Sequence, residues 1–196
     1  MKLLYTLFIY ILLIISLPLF AAISLGIILT GGFPVLFVQT RTGKAGKPFQ
    51  MYKFRTMITG AEMLQQKYRK LNTADGPVFK IRNDPRFTRI GKFLSHTGLD
   101  ELPQLFNVIR GEMSLIGPRP LPVREADKLL PWMKEREIIK PGIISPWILE
   151  GYHSRTFEQW MKSDIVYARH KSWGTDIRIT LRTIGFMLRL MLNEFL

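Results

Sequence analysis

No charged residue occurs between positions 3 and 40, and residues 3–29 are apolar almost throughout. The length and character of that run are those of a membrane segment. It lacks the small-residue cleavage site and polar mature start of a removable leader. Pro18 falls near its middle, where a missing N–H and a clash with the preceding turn predict a bend, and Ser16 offers a hydroxyl to a freed carbonyl. Each arm would hold about 12–14 residues and rise ~20 Å at ~1.5 Å per residue, short of a ~30 Å hydrocarbon core. Lys2 precedes the run and Arg41, Lys44 and Lys47 follow it. Basic flanks on both sides favour a helix–break–helix that enters and leaves by one face, with a single spanning, proline-bearing helix as the rival.

Beyond this segment the pattern shortens. Residues 35–40 and 49–55 read as two strands joined by a basic loop with Gly43 and Gly46. Residues 60–71 predict a short polar helix, residues 78–81 a short strand, and residues 83–85 a turn. Leu102, Leu105, Phe106 and Ile109 recur at helical spacing, so one face of residues 101–110 should be buried, with Pro103 in the first turn and Asp100 as N-cap. Residues 122–140 predict a charged helix interrupted near Pro131. Residues 176–196 are amphipathic: at ~100° per residue, Arg178, Arg182 and Arg189 lie within about 40° of each other, opposite an apolar face. Such a helix suits a membrane interface or a packed core face. The strands are few and no βαβ rhythm appears, so the expected fold class is α+β and helix-dominated: a re-entrant membrane helix, a small β-hairpin and interfacial amphipathic helices. The expected divisions are 1–34, 35–175 and 176–196.

The 196 residues suit one domain with an appended membrane segment. A net charge of +13 points to anionic partners: nucleic acid, phosphorylated substrates or acidic lipid. No helix-turn-helix, zinc or RNA-binding signature accompanies that charge, and no nucleic-acid partner is expected. With no cysteine, disulfides and thiolate metal sites are excluded, and His96, His153 and His170 lack ligand-like spacing.

Chemistry concentrates between residues 97 and 120. Asp100 and Glu101 are adjacent carboxylates at a helix start, where the dipole favours an ionised acid that can act as nucleophile or metal ligand; a simple cap is the alternative. Arg119 is held between two prolines in Gly117-Pro118-Arg119-Pro120. Arg82, Arg86, Arg89 and Lys92 form a basic cluster whose forks would match phosphate oxygens, if it is not simply solvated surface.

Read as strings, Leu99-Asp100-Glu101-Leu102-Pro103-Gln104-Leu105-Phe106-Asn107-Val108 and Gly111-Glu112-Met113-Ser114-Leu115-Ile116-Gly117-Pro118-Arg119-Pro120 resemble the core of the bacterial sugar transferase family, the small monotopic phosphoglycosyl transferases. Phe54-Arg55-Thr56-Met57, Asp75-Gly76-Pro77-Val78-Phe79-Lys80, Asn83-Asp84-Pro85-Arg86, Lys140-Pro141-Gly142-Ile143 and the Asp164/Tyr167 pair extend the resemblance. It implies transfer of a sugar 1-phosphate from a nucleotide diphosphate sugar, a UDP-sugar by expectation, to polyprenol (undecaprenyl) phosphate through a covalent phosphosugar on Asp100. Glu101 would be the acid/base partner, and Mg²⁺ the cofactor, held in part by Asp100. Arg119, Arg86, Arg89, Lys80 and Arg55 would bind phosphate or substrate, and Ser16 with Pro18 would break the membrane helix. The implied place is the cytoplasmic face of a bacterial inner membrane, in contact with lipid, and a homodimer is compatible with the family. The chain departs from the family pattern at Ser95 or His96 and at Tyr152, where relatives carry arginine; Arg86, Arg89 or Arg155 could compensate. The alternative is a membrane-anchored homologue that binds without turnover.

Overall fold

The structure is a computed structural model describing residues 2–81, 83–146, 149 and 156–195, apart from the side chains of residues 2, 187, 188 and 190–195. Trp147, Tyr152, His153, Arg155 and Arg82 lie outside the described residues.

The apolar N-terminal run forms one helix, α1 (Lys2–Gly31), assigned as continuous with Pro18 inside it. The two arms expected there are joined through Pro18 without an intervening loop. Ser16 Oγ donates to the Leu13 carbonyl at 2.8 Å, not to Ile14, whose i+4 donor Pro18 removes. Leu3–Gly31 is long and apolar enough to cross a membrane by length and composition. Both halves of α1 nevertheless pack on the rest of the chain. Tyr5, Ile9 and Leu12 join Met51, Val108 and Met113, whereas Phe20, Ile23 and Ile27 join Phe54 and Leu94. Arg55 ties down the far end, donating to the Gly31 carbonyl, which the helix terminus leaves unpaired, and to the Gly32 and Phe33 carbonyls just beyond it.

Strands β1 (Leu36–Thr42) and β2 (Pro48–Phe54) form the expected antiparallel hairpin. Residues 60–68 differ from expectation: they are a run of turns ending in a 3₁₀ turn (Arg69–Leu71). Their backbone bonds are mostly i→i+3, as in Met63 N to Gly60 O, because the segment has too small an apolar face to stabilise an α-helix against packing. Residues 78–81 are not a strand. Their backbone is held by Asn72, whose Oδ1 accepts from Lys80 N at 2.7 Å, and by Thr73, whose N–H bonds Lys80 O at 2.7 Å.

Helix α2 (Arg89–Thr97) begins at an N-cap, Thr88, whose hydroxyl accepts from Gly91 N, and ends at Gly98, a left-handed residue (φ +70°). That turn delivers a single 3₁₀ turn, Leu99–Glu101, with Asp100 inside it. The helix expected from residue 101 is thus shorter, α3 (Gln104–Ile109), and Pro103, not Asp100, stands at its N-cap. Proline without an N–H suits the break between the two turns. Asn107, fully buried, welds α3 to the hairpin: Nδ2 donates to Gln50 O and Oδ1 accepts from Tyr52 N.

Strand β3 (Ser114–Ile116) pairs in parallel with β4 (Gly142–Ile144). A Cβ on Gly117 would meet the Lys140 carbonyl at 2.6 Å, so the two segments cross where only glycine fits. Between them lie α4 (Val123–Ala126) and a 3₁₀ segment, Pro131–Ile138, with Pro131 at its start as the interruption predicts. Helix α5 (Phe157–His170) carries a capping box between Thr156 and Gln159. It packs through Phe157, Trp160 and Met161 on Leu121, Leu129 and Met133. Helix α6 (Trp173–Phe195) starts three residues before the expected boundary. It buries Ile179 and Thr183 while leaving Ile177, Leu181 and Ile184 exposed, so one stripe is packed and another is not.

Candidate active site

Asp100 and Glu101 meet two cations that arrive from separate elements. Lys53, on β2, donates through Nζ to Asp100 Oδ2 at 3.3 Å and to Glu101 Oε1 at 2.6 Å. Arg119, from the turn after β3, places Nη1 2.9 Å from Glu101 Oε1. Asp100 is buried, at 6% exposure, and among the described residues it accepts only from Lys53.

The pair is split electrostatically. Burial pushes the Asp100 carboxyl above its ordinary range; Lys53 and Arg119 oppose that, and the neighbouring Glu101 charge adds to it. Glu101 is driven the other way. Against its own burial, Arg119 first and then Lys53 hold it down to about 2. The two adjacent carboxyls thus differ in kind: burial favours the neutral acid at Asp100, whereas Glu101 stays ionised between its two cations. An easily ionised Asp100, the expectation from a helix dipole, is not what the structure favours: the single 3₁₀ turn supplies little dipole, and desolvation dominates.

A shell of further charge surrounds the pair. Lys80 is lowered to about 7, by burial and then by Arg119. Arg41, on β1, is lowered to about 10, by burial and then by Arg119, while Glu125 and Glu101 counter it. Glu125 is buried beside them and raised by that burial.

The remaining sequence candidates lie elsewhere. Arg55 caps α1, as described. Arg86 is buried in a forked pair with Asp84, Nε to Oδ1 at 2.9 Å and Nη2 to Oδ2 at 2.5 Å, and it also donates to Ala61 O. Arg89 is exposed on the first turn of α2. The structure thus brings Asp100, Glu101, Arg119 and Lys80 into one neighbourhood and ties Arg55 and Arg86 into the scaffold. Ser16 reaches the site indirectly. It lines, with Leu12 and Leu19 of α1 and with Glu101, Leu102 and Leu105, an apolar cleft of about 370 Å³. A larger cleft of about 560 Å³ between α5 and α6 contains none of the carboxylate pair's neighbours. Chemistry, not volume, selects the former.

Sequence reasoning missed Lys53, although a lone lysine inside Phe49-Gln50-Met51-Tyr52-Lys53-Phe54 was a readable anomaly. It also missed Arg41. Asp164 and Tyr167 were noted only as a pattern, and both are buried: Asp164 pairs with Arg136, and Tyr167 OH donates to Asp176 Oδ1 at 2.5 Å, joining α5 to α6. No cluster of three or more His, Cys, Asp or Glu able to cage a metal exists among the described residues.

A family model described as "Bacterial sugar transferase" matches residues 2–190, and the chain belongs to that family. It is 41% identical over 158 residues to "Galactosyl transferase CpsE" of Streptococcus agalactiae serotype III, covering 80% of this chain and 35% of that protein. It is 35% identical over 185 residues to "Undecaprenyl-phosphate galactose phosphotransferase" of Salmonella typhimurium, covering 90% and 38%. It is 37% identical over 188 residues to "UDP-glucose:undecaprenyl-phosphate glucose-1-phosphate transferase" of Escherichia coli K12, again covering 90% and 38%. The chain therefore spans between a third and two fifths of the length of these three relatives.

Proposed function

We propose that the chain transfers a sugar 1-phosphate from a UDP-sugar to undecaprenyl phosphate, giving undecaprenyl-diphosphate-sugar and UMP. The observation that carries this reading is the buried Asp100–Glu101 pair between Lys53 and Arg119, opening on an apolar cleft walled by α1. The names of the relatives agree with it.

In this reading an Asp100 carboxylate oxygen attacks the β-phosphorus. The bond from that phosphorus to the bridging oxygen breaks, UMP leaves, and the phosphosugar remains on Asp100 as an acyl phosphate. A phosphate oxygen of the prenyl acceptor then attacks the same phosphorus and frees the carboxylate. Lys53 and Arg119 stand where negative charge develops on the phosphoryl oxygens. Glu101, held ionised by both, can take the base side of the acid/base role but not the acid side, and it keeps the two cations beside Asp100. Lys80, close to Arg119, is placed to bind the diphosphate, whose charge would favour its ammonium form.

Mg²⁺ fits this donor set. A hard dication that keeps waters and takes phosphate oxygens needs only one or two carboxylates, and Asp100 has an oxygen that accepts no hydrogen bond among the described residues. Asp100 would hold the ion, which when bound supplies charge neutralisation at the diphosphate.

The acceptor explains the membrane helix. Its phosphate lies at headgroup level while the nucleotide sugar is in water, so the site must sit at the interface. We infer that α1 enters and leaves the cytoplasmic leaflet of a bacterial inner membrane by one face. Packing of both its halves on a single domain supports this, because a helix emerging on the far side would touch the domain with one end only. The exposed stripe of Ile177, Leu181 and Ile184 would lie on the same interface, since Trp173 at the start of α6 meets Tyr5 of α1 edge-on. Cysteines at positions 2 and 44 should label from the same side; labelling from opposite sides contradicts the arrangement.

The test of the reaction is release of UMP from a panel of UDP-sugars, offered with undecaprenyl phosphate and Mg²⁺ to the chain in a lipid bilayer. Turnover with at least one sugar is expected. Binding of a UDP-sugar without UMP release would favour the second reading, a binding protein without turnover, for which the engagement of Arg55 and Arg86 in the scaffold is the supporting observation.

A further inference from the structure

The Gly117-Pro118-Arg119-Pro120 turn must hold a cation beside Glu101 with a backbone that lacks two of its N–H groups. Its carbonyls are gripped from outside. Pro118 O accepts from Gly142 N at 3.0 Å, Pro120 O from Arg41 Nη1 at 3.1 Å, and Arg119 O from Arg136 Nη2 at 2.5 Å. Arg136 is itself held by Asp164, whose Oδ2 accepts from Nε at 2.9 Å and from Nη2 at 2.7 Å. Asp164 Oδ1 accepts from Ser145 Oγ at 3.4 Å. Arg136 is 3% exposed and Asp164 wholly buried, and neither bonds to Asp100 or Glu101.

We propose that the Asp164–Arg136 pair is a positioning device: it fixes the main chain at Arg119 so that the Arg119 guanidinium stands against Glu101. A buried ion pair adds little net stability over apolar packing, because desolvation offsets the attraction. What a forked guanidinium adds is direction. Nε and Nη2 are committed to Asp164 in a plane that leaves Nη2 aimed at the Arg119 carbonyl. Arg41 grips the next carbonyl, so consecutive carbonyls of the turn are held by two arginines. The proposal deepens the reading of this site as a sugar-phosphate transferase and rests on it for its kinetic test only.

Arg136→Lys and Asp164→Asn are made singly and together with Arg119→Lys in the full chain, in lipid bilayers. Each single change is expected to lower kcat/KM for UMP release ~10- to 100-fold, the loss that misplacement by about 1 Å produces. In the Arg119→Lys background the further loss should be under about threefold, because the guanidinium whose direction the device sets is gone and a flexible ammonium gains little from a fixed main chain. An equal loss in both backgrounds overturns the proposal. A structure of Arg136→Lys provides an arm that needs no activity: the Arg119–Glu101 contact should open, and an unchanged 2.9 Å contact overturns the proposal. If the unaltered chain releases no UMP, the functional reading fails while the structural arm still decides. Failure of both Arg136→Lys and Asp164→Asn to fold, with Arg119→Lys folding normally, marks the pair as scaffold only and likewise overturns it.

Discussion

Asp164 and Asp100 are both buried aspartates beside a cation, and burial pushes both carboxyls upward. Their surroundings differ in completeness. Asp164 has a guanidinium fork on one oxygen and a hydroxyl on the other, one charge against one. Asp100 has a single 3.3 Å bond from a lysine that is closer to Glu101, and a second carboxylate next to it in the chain. A satisfied pair holds structure together. A carboxylate kept short of partners retains an oxygen for a metal or a phosphorus, at a cost to the fold. The contrast between these two residues, and not their type, distinguishes an aspartate fixed by its partners from one left with an oxygen to spare.

Substitution by asparagine at the two positions breaks the comparison most severely. Asp100→Asn should cut turnover by ~10⁴-fold or more, the scale on which loss of a nucleophile acts. Its melting temperature at neutral pH should hold or rise. The sign follows from the raised Asp100 pKa: the folded state favours the neutral acid, so this group's contribution to stability is present at low pH and lost as pH rises through the raised value. A neutral amide removes that cost, and Lys53 keeps Glu101. A melting temperature well below the parent's would contradict the account. Asp164→Asn should lower the unfolding free energy by ~3–5 kcal/mol although its carboxyl is raised too, because Arg136, unlike Lys53, has no second carboxylate in contact among the described residues and is left as a buried charge that cannot shed its proton. Denaturation in a fixed bilayer or detergent would measure it.

Lys53→Met sharpens the contrast. It strips one cation from both carboxylates and should reduce kcat/KM ~10²-fold, whereas a loss smaller than about threefold would remove Lys53 from the machinery. The smallest effect concerns Lys80, lowered to about 7 and so only partly protonated near neutrality. A bound diphosphate should raise it. UDP binding at pH 7–8 should therefore take up a fraction of a proton, read by calorimetry in buffers of different ionisation enthalpy. Zero uptake across that range would place Lys80 outside the phosphate site.

Legibility followed periodicity. Helix α1, the β1–β2 hairpin and α6 were visible because each repeats its apolar residues over many positions at the period its geometry demands. Helices α2 and α5 escaped notice, α2 because its nine residues interleave with basic positions read as a phosphate cluster, and α5 although its Thr156/Gln159 capping box was there to be seen. The β3–β4 pair could not be read at all: three residues per strand carry no period, and their partners are remote in sequence. In the site, the motif strings located Asp100, Glu101 and Arg119. They could not tell a phosphate-binding arginine from one that caps a helix, as Arg55 does, or closes a turn, as Arg86 does, since both uses ask for the same residue.

The central claim is a covalent bond between the Asp100 carboxylate and a sugar phosphate. Mixing the chain with a turnover-competent UDP-sugar and Mg²⁺ in the absence of acceptor, quenching in acid and measuring the mass of the peptide holding Asp100 addresses it directly. The account predicts a mass increase of one glycosyl phosphate on that residue, one UMP released per chain, and discharge on adding undecaprenyl phosphate. No adduct at any time after mixing, with UMP appearing only when donor and acceptor are both present, would contradict it.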